Sequence, residues 1–256
     1  MTASVAQDRF AGVVKIVRFN VRFYAGSALG VLAAGALLAL RPLPRWLEAA
    51  VWSGAALMAF WTLSSLVVSW YVYDHAGVTR WAWIPEQLPI APRRWVNIHA
   101  GLDESSFALR QMISGSEGVV VDIYDAAEMT EPSIARARRL YPAAPPFLSG
   151  RSDALPLPNK ARDTVLLLFA AHEVRDRARR TQLLRETKRV LEDGGQVILV
   201  EHLRDWKNFV AFGPGFFHFH SGRDWRRSIR EAGLRVDREI AVTPFVSCFV
   251  LGKAEA

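Results

Sequence analysis

The chain has 256 residues and a single cysteine, Cys248. One thiol cannot close an internal disulfide, which excludes a disulfide-stapled scaffold and suits a reducing compartment. Cys248 lies in an apolar run over 245–251 and reads as a buried strand residue, because no histidine shares a motif with it. Zinc-finger spacing and aromatic RNA-binding signatures are also lacking. The basic excess, net charge +7 with a sequence pI near 10.0, therefore points away from nucleic acid. The anionic face of a membrane is the better partner for it. Charge itself is missing from two long stretches, and that absence organises the chain.

Residues 23–40 and 49–73 carry no charged side chain, over 18 and 25 residues respectively. Both lengths are compatible with crossing a bilayer core. Arg41, Pro42, Leu43, Pro44 and Arg45 form the short link, so the pair reads as a transmembrane helical hairpin over 23–75. Trp46, Trp70, Tyr71, Tyr73, Trp81 and Trp83 fall at or beyond the span ends, where amphipathic rings sit. A signal peptide would have one short run, and a buried core hairpin is the other rival. Residues 1–22 are expected to form a basic amphipathic N-terminal helix. Within it Phe10, Val13, Val14, Val17 and Val21 recur at helical spacing, opposite Lys15, Arg18 and Arg22. Basic residues are richer on the flanks (Arg9, Lys15, Arg18 and Arg22 before; Arg80, Arg93 and Arg94 after) than in the link. Both termini and the soluble part are thus expected on the cytosolic side of an inner, cytoplasmic membrane, as a multi-pass protein.

After a linker over 76–92 the texture changes, and residues 93–256 read as one soluble domain. Candidate strands fall at 95–99, 119–123, 164–169, 196–200, 235–240 and 245–251. Candidate helices lie at 104–114, 132–141 and 178–191, the last expected to run to the Gly194-Gly195 stop. Strands alternating with helices imply an α/β, Rossmann-like, doubly wound and mostly parallel sheet. The last two strands, joined around Thr243-Pro244, imply an antiparallel edge hairpin. Such a sheet binds ligands beyond the carboxyl ends of its strands, at the switch point.

Four pieces of this region resemble the class I S-adenosylmethionine-dependent methyltransferases, especially the small ubiquinone/menaquinone type. They are Asp122 closing the second strand, with Ile123 after it; Ser152-Asp153-Ala154-Leu155-Pro156; the fourth strand running into Phe169 and then His172-Glu173; and Leu184 to Gly195 before the fifth strand. The resemblance covers about 93–253. It implies S-adenosyl-L-methionine as cofactor, with the ribose hydroxyls on Asp122 (Asp125 as a fallback). It also implies the adenine amine on Asp153, flanked by Ala154 and packed on by Leu155. His172 and Glu173 would then lie over the reacting centre, as base, orienting groups or a loop cap.

The family's glycine-rich loop falls on residues 96–103, where only Gly101 keeps a glycine. Asn97 replaces an acid, and His99 and Asp103 replace glycines that let the cofactor press on bare backbone. His99, Asp103, His172 and Glu173 could make a metal set, but no short ligand spacing supports one and no metal is expected. Residues 205–222 hold Phe209, Phe212, Phe216, Phe217 and Phe219, a wall suited to an apolar acceptor, with His218 and His220 as candidate contacts to the reacting group. With a membrane hairpin attached, the expected acceptor is lipophilic: a quinone, an isoprenoid or a lipid. Two alternatives stay open. One is the rhodoquinone-type transfer of an amino group from the same cofactor to a quinone. The other is a catalytically degenerate fold that binds a lipid or protein, with Arg175, Arg177, Arg179, Arg180, Arg185, Lys188 and Arg189 as a docking face.

Overall fold

The protein is described by a computed structural model covering residues 9–255, so residues 1–8 of the expected N-terminal helix lie outside the described residues. The chain divides into two compact units, one running to Ala76 and including Trp206–Phe216, the other Gly77–Asp205 with Phe217–Ala256.

The first unit holds α1 (Ala11–Phe19), α2 (Val21–Leu40) and α3 (Arg45–Ser69), the last continuing as a π-turn over Trp70–His75. The expected single helix to residue 22 is broken at Asn20, whose side-chain amide donates to the Ile16 carbonyl at 3.1 Å, so Val21 and Arg22 open α2 instead. The α1 N-terminus is held by Asp74, whose carboxylate accepts from Gly12 N–H at 2.7 Å and Val13 N–H at 2.9 Å. An anion at that end satisfies free amides and complements the helix dipole. Gly12 is needed there, since a Cβ would stand 2.5 Å from Tyr73 Cβ. Two hydroxyl pairs tie α2 to α3: Tyr24 to Ser65 at 2.8 Å and Ser27 to Thr62 at 2.6 Å. Such small polar links are the usual cement between apolar helices. Both helices are long and apolar enough to cross a membrane, by length and composition.

The unit also takes in α8 (Trp206–Phe212). Ser64 donates to the Val210 carbonyl at 3.1 Å, Trp61 meets the Phe209 ring edge-on at 5.4 Å, and Phe209 meets Phe216 at 5.0 Å. The aromatic segment expected inside the soluble domain thus packs with the hairpin, because its rings find apolar partners on α3.

The second unit is a seven-stranded sheet in the order β3-β2-β1-β4-β5-β7-β6. Its strands are β1 (Arg94–His99), β2 (Glu117–Asp122), β3 (Leu148–Ser149), β4 (Arg162–Leu168), β5 (Leu191–His202), β6 (Leu234–Thr243) and β7 (Val246–Lys253). The first five run parallel, and β7 pairs antiparallel with β5 and β6. This is the doubly wound sheet with an antiparallel edge read from the sequence. The hairpin is folded so that β7, not β6, meets β5. Around the sheet lie α4 (Ile84–Gln87), α5 (Ser106–Met112), α6 (Pro132–Leu140), α7 (Arg177–Val190) and α9 (Gly222–Glu231). Val96, Ile98, Val165, Leu167, Ile198 and Val200 of the central strands are fully buried. Each contributes about 1.5–3 kcal/mol of apolar transfer.

Two local expectations are corrected. α7 ends at Val190 and not at the glycine pair, because Leu191 already pairs with Arg162 while Gln196 pairs with Thr164. The intervening residues form a bulge, and Gly194 with φ +77° turns it. α9 is absent from the expected helices, since only Trp225 and Ile229 mark its apolar face. Its Ser221/Asp224 capping box is the sequence signal that announces it.

Candidate functional site

The strand order reverses between β1 and β4, so the crevice of interest lies at the carboxyl ends of β1, β2, β4 and β5. Parallel register places His99 directly beside Asp122. Asp122 is 5% exposed. Its Oδ1 accepts from Tyr124 N–H at 3.0 Å and lies 3.6 Å from His99 Nδ1, and Arg138 of α6 reaches its Oδ2 at 2.5 Å. The His99 ring is 3% exposed and meets Phe147 edge-on. Burial pulls its pKa below the ordinary value, against the pull of Asp122 and Asp103. Tyr124 packs on Gly101, where a Cβ would stand 2.9 Å from its ring, and the Arg138 guanidinium lies over that ring at 4.7 Å.

The remaining loop residues are occupied structurally. The Asn97 amide donates to Ser105 and Ser106 hydroxyls at 2.9 and 2.8 Å. Asp103 Oδ1 accepts from Ser105 and Ser106 N–H at 3.2 and 2.9 Å, so this carboxylate caps α5 and is not directed to a ligand. Ile123 is buried, with its N–H on the His99 carbonyl at 2.9 Å. Asp153 and Ala154 are exposed, and Arg151 takes both Asp153 oxygens at 2.8 and 2.9 Å. Leu155 is buried. Its N–H donates to Glu186 at 2.8 Å and its carbonyl accepts from Arg189 at 3.0 Å, so α7 fixes this turn.

A second cluster closes β4 and β5. Phe169 holds φ +52°, in the left-handed region unusual for a bulky residue. Its ring stacks on His202 at 5.1 Å, and His202 stacks on Phe219 at 4.9 Å. Glu201, fully buried near the end of β5, accepts from Ala171 and His172 N–H through Oε1 and binds His172 Nδ1 through Oε2 at 2.6 Å. His172 Nε2 faces Glu173 Oε1 at 3.4 Å, and His218 Nε2 lies 3.9 Å from that same oxygen. Glu131 approaches His218 Nδ1 at 3.6 Å. Burial works against charge on His172, yet Glu201 and Glu173 outweigh it and hold the pKa up at about 10. Burial raises Glu173, but its bond to His172 and that ring's charge leave it below the ordinary carboxylate value. His218 is pushed down, by burial first and then by the charge on His172. Glu173 Oε2 is buried without a hydrogen-bond partner among the described residues, which costs about 1–3 kcal/mol or more.

His172, Glu173 and His218 therefore come together. The His220 ring touches the His172 backbone and not the cluster's side chains. Its Nε2 bonds Arg180 at 2.9 Å, its ring meets Trp225 edge-on, and burial then Arg180 push its pKa down to about 3. Among the described residues the cluster with metal-ligand geometry is His172, Glu173 and His218, and neither His99 nor Asp103 belongs to it. Sequence reasoning misses Glu201, Glu131, Tyr124 and Arg138. Only Glu201 leaves a signal, a carboxylate interrupting an apolar strand.

This arrangement defines a class first: a Rossmann-like domain with a carboxylate at a strand tip, a fold that matches those of methyltransferases. Residues 115–199 match the family model described as methyltransferase domain, and S-adenosylmethionine is the cofactor which that similarity implies. A solved protein of Pyrococcus horikoshii superposes with a TM-score of 0.51 at 16% identity, covering 72% of this chain and 95% of that one, which shows the shared fold. Two S-adenosylmethionine-dependent methyltransferases are also similar. That of Aquifex aeolicus has a TM-score of 0.48, 18% identity and 70% and 95% coverage; that of Methanosarcina mazei has 0.48, 16% and 68% and 98%. No curated relative matches the chain.

The residues present fit the nucleoside half of that cofactor. Asp122 would be the acceptor for a ribose diol, and Leu155 and Ile123, both buried, would be apolar neighbours for a base. His99 Nε2 and Asn97 Oδ1 are buried polar atoms without partners among the described residues, where the bare-backbone cradle would be. The fit requires Arg138, whose side chain is 38% exposed, to swing off Asp122.

Proposed function

We propose that the protein is a membrane-anchored S-adenosylmethionine-dependent methyltransferase acting on a lipophilic acceptor such as a quinone, an isoprenoid or a lipid. The observation that carries this reading is the excursion over 206–216. The chain leaves the second unit after β5, joins the two apolar helices, and returns one residue before His218. The stems are pinned by the Leu203–His220 bridge and by Arg204 N–H on the His220 carbonyl at 2.9 Å. Trp206, Phe209, Val210 and Phe217 are exposed there, as suits a segment lying against lipid. In both apolar helices only 6% of the most apolar window is buried, where a soluble core helix would be mostly buried. The proposed placement is a multi-pass protein of the inner membrane, with both termini and the soluble unit cytosolic.

Bound cofactor would supply an activated methyl group. Within this chain Asp122 would hold the ribose, and Leu155 with Ile123 would pack on the adenine. His172, held between Glu173 and Glu201, would orient the acceptor. Alignment of the reacting groups supplies much of the rate in such a transfer, and strong acids or bases are optional. The test is calorimetry with S-adenosylmethionine on the full chain in detergent, followed by mass analysis of a reacted lipid extract. A gain of one methyl group supports the reading, and an amino exchange favours the rhodoquinone-type alternative.

A second reading, a non-catalytic fold, is favoured by His99 and Arg138 standing on Asp122. Absence of cofactor binding in the same titration supports it. Of the seven basic residues offered for docking, Arg175, Arg179, Arg180, Arg185 and Arg189 are bonded within the domain.

A further inference from the structure

We propose that His172, Glu173 and His218 bind a divalent first-row transition-metal ion, with Glu201 and Glu131 as the outer carboxylates that orient the two rings. One ligand atom of each of the three residues lies within 4.8 Å of the others. Glu173 Oε1 stands 3.4 Å from His172 Nε2 and 3.9 Å from His218 Nε2. Ligands bonded at about 2.1 Å around a tetrahedral ion are about 3.4 Å apart, so an ion would draw these atoms, now within 4.8 Å of one another, closer together. Each imidazole presents Nε2 to the centre and Nδ1 to a carboxylate: His172 to Glu201 at 2.6 Å, His218 to Glu131 at 3.6 Å. Metal-bound histidines show that carboxylate–histidine arrangement almost always, because it fixes the tautomer and raises ligand basicity.

An independent observation also points to a ligand. Glu173 is buried, and its Oε2 has no hydrogen-bond partner among the described residues. Nearby cations are committed elsewhere. Arg175 bonds the Phe217 and His218 carbonyls, and Arg180 bonds the Val174 and Arg175 carbonyls and His220. Three carboxylates therefore converge on two imidazoles, while the Arg175 and Arg180 guanidinium hydrogen bonds go elsewhere. Two nitrogens and a carboxylate suit zinc, iron, manganese or cobalt, whereas calcium and magnesium prefer all-oxygen shells. Three protein ligands leave at least one coordination position open, which is the pattern of reactive metal sites. The cluster sits at the carboxyl ends of β4 and β5, the ligand side of the sheet. The inference does not depend on the nucleoside crevice being open.

The test uses the full chain purified in detergent, free of any tag, stripped with chelator and titrated with Co²⁺ while visible d–d absorption is followed. The expected result is uptake of about one Co²⁺ per chain, displaced by Zn²⁺. Glu173→Gln and His218→Gln should abolish uptake, and Glu201→Gln should weaken it about 10–100-fold, the usual outer-shell effect. Retained circular dichroism separates these losses from unfolding. If the variants do not fold, a Zn²⁺-dependent rise in the wild-type melting temperature carries the test. Absence of stoichiometric uptake by the folded wild type, or wild-type uptake by folded Glu173→Gln and His218→Gln proteins, overturns the proposal.

Discussion

Asp122 shows how one side chain is shared between structure and ligand. Its carboxylate is held by Arg138 and Tyr124 and flanked by His99, and a ribose diol would compete for the same oxygens. Asp122→Ala should lower S-adenosylmethionine affinity severalfold by calorimetry. Arg138→Ala should raise it, because the competitor is removed; an unchanged constant in both variants would place the nucleoside elsewhere. His99 links the same spot to pH. Burial depresses its pKa, so below the ordinary value near 6.5 the unfolded chain binds a proton that the folded chain does not. Stability attributable to His99 is therefore present above pH 6.5 and lost as pH falls below it. Melting curves of His99→Asn should show a flatter acid limb, by up to about 1.4 kcal/mol per pH unit. Asp122 is legible in the sequence as a carboxylate ending an apolar strand. Arg138 and Tyr124 are not, because nothing in their local sequence says which strand tip they cover.

Among the elements, α5 and α8 show opposite relations to the sequence. α5 follows a loop that has lost its glycines, and the polar residues there hold the helix start. Asp103→Ala should cost about 1 kcal/mol, an ordinary cap loss, and lower the melting temperature by ~2–4 °C. That result would separate Asp103 from cofactor binding, which should be unaffected. α8 reads as an acceptor wall of the soluble domain from its phenylalanines alone. Its composition is the same on either reading, and only packing on Trp61 and Ser64 assigns it to the hairpin. Trp206→Ser with Phe209→Ser should raise KM for a vesicle-borne acceptor and leave cofactor affinity unchanged. Loss of cofactor binding instead would mark the segment as a structural prop of the Rossmann unit.

At the scale of the molecule, the lone cysteine becomes a tool. Cys248 is fully buried on β7 and burial pushes its pKa up to about 12, so it should resist maleimide in the folded protein. In intact cells Leu43→Cys should react with a membrane-impermeant maleimide from outside, while the parent protein labels only after denaturation. Labelling of Leu43→Cys solely after lysis would invert the proposed topology.

Hydrophobic periodicity and uncharged length are local properties, and they determined the helical hairpin candidates, the alternation of strands with helices and the strand-tip carboxylate. Proximity between distant segments is not local. The meeting of His172, Glu173 and His218, the buried Glu201 behind them, the diversion of His220 to Arg180 and the joining of α8 to α3 were decided by tertiary structure alone. Each depends on which strand ends lie side by side and which apolar faces find a partner, and a linear pattern of residue types does not carry that information.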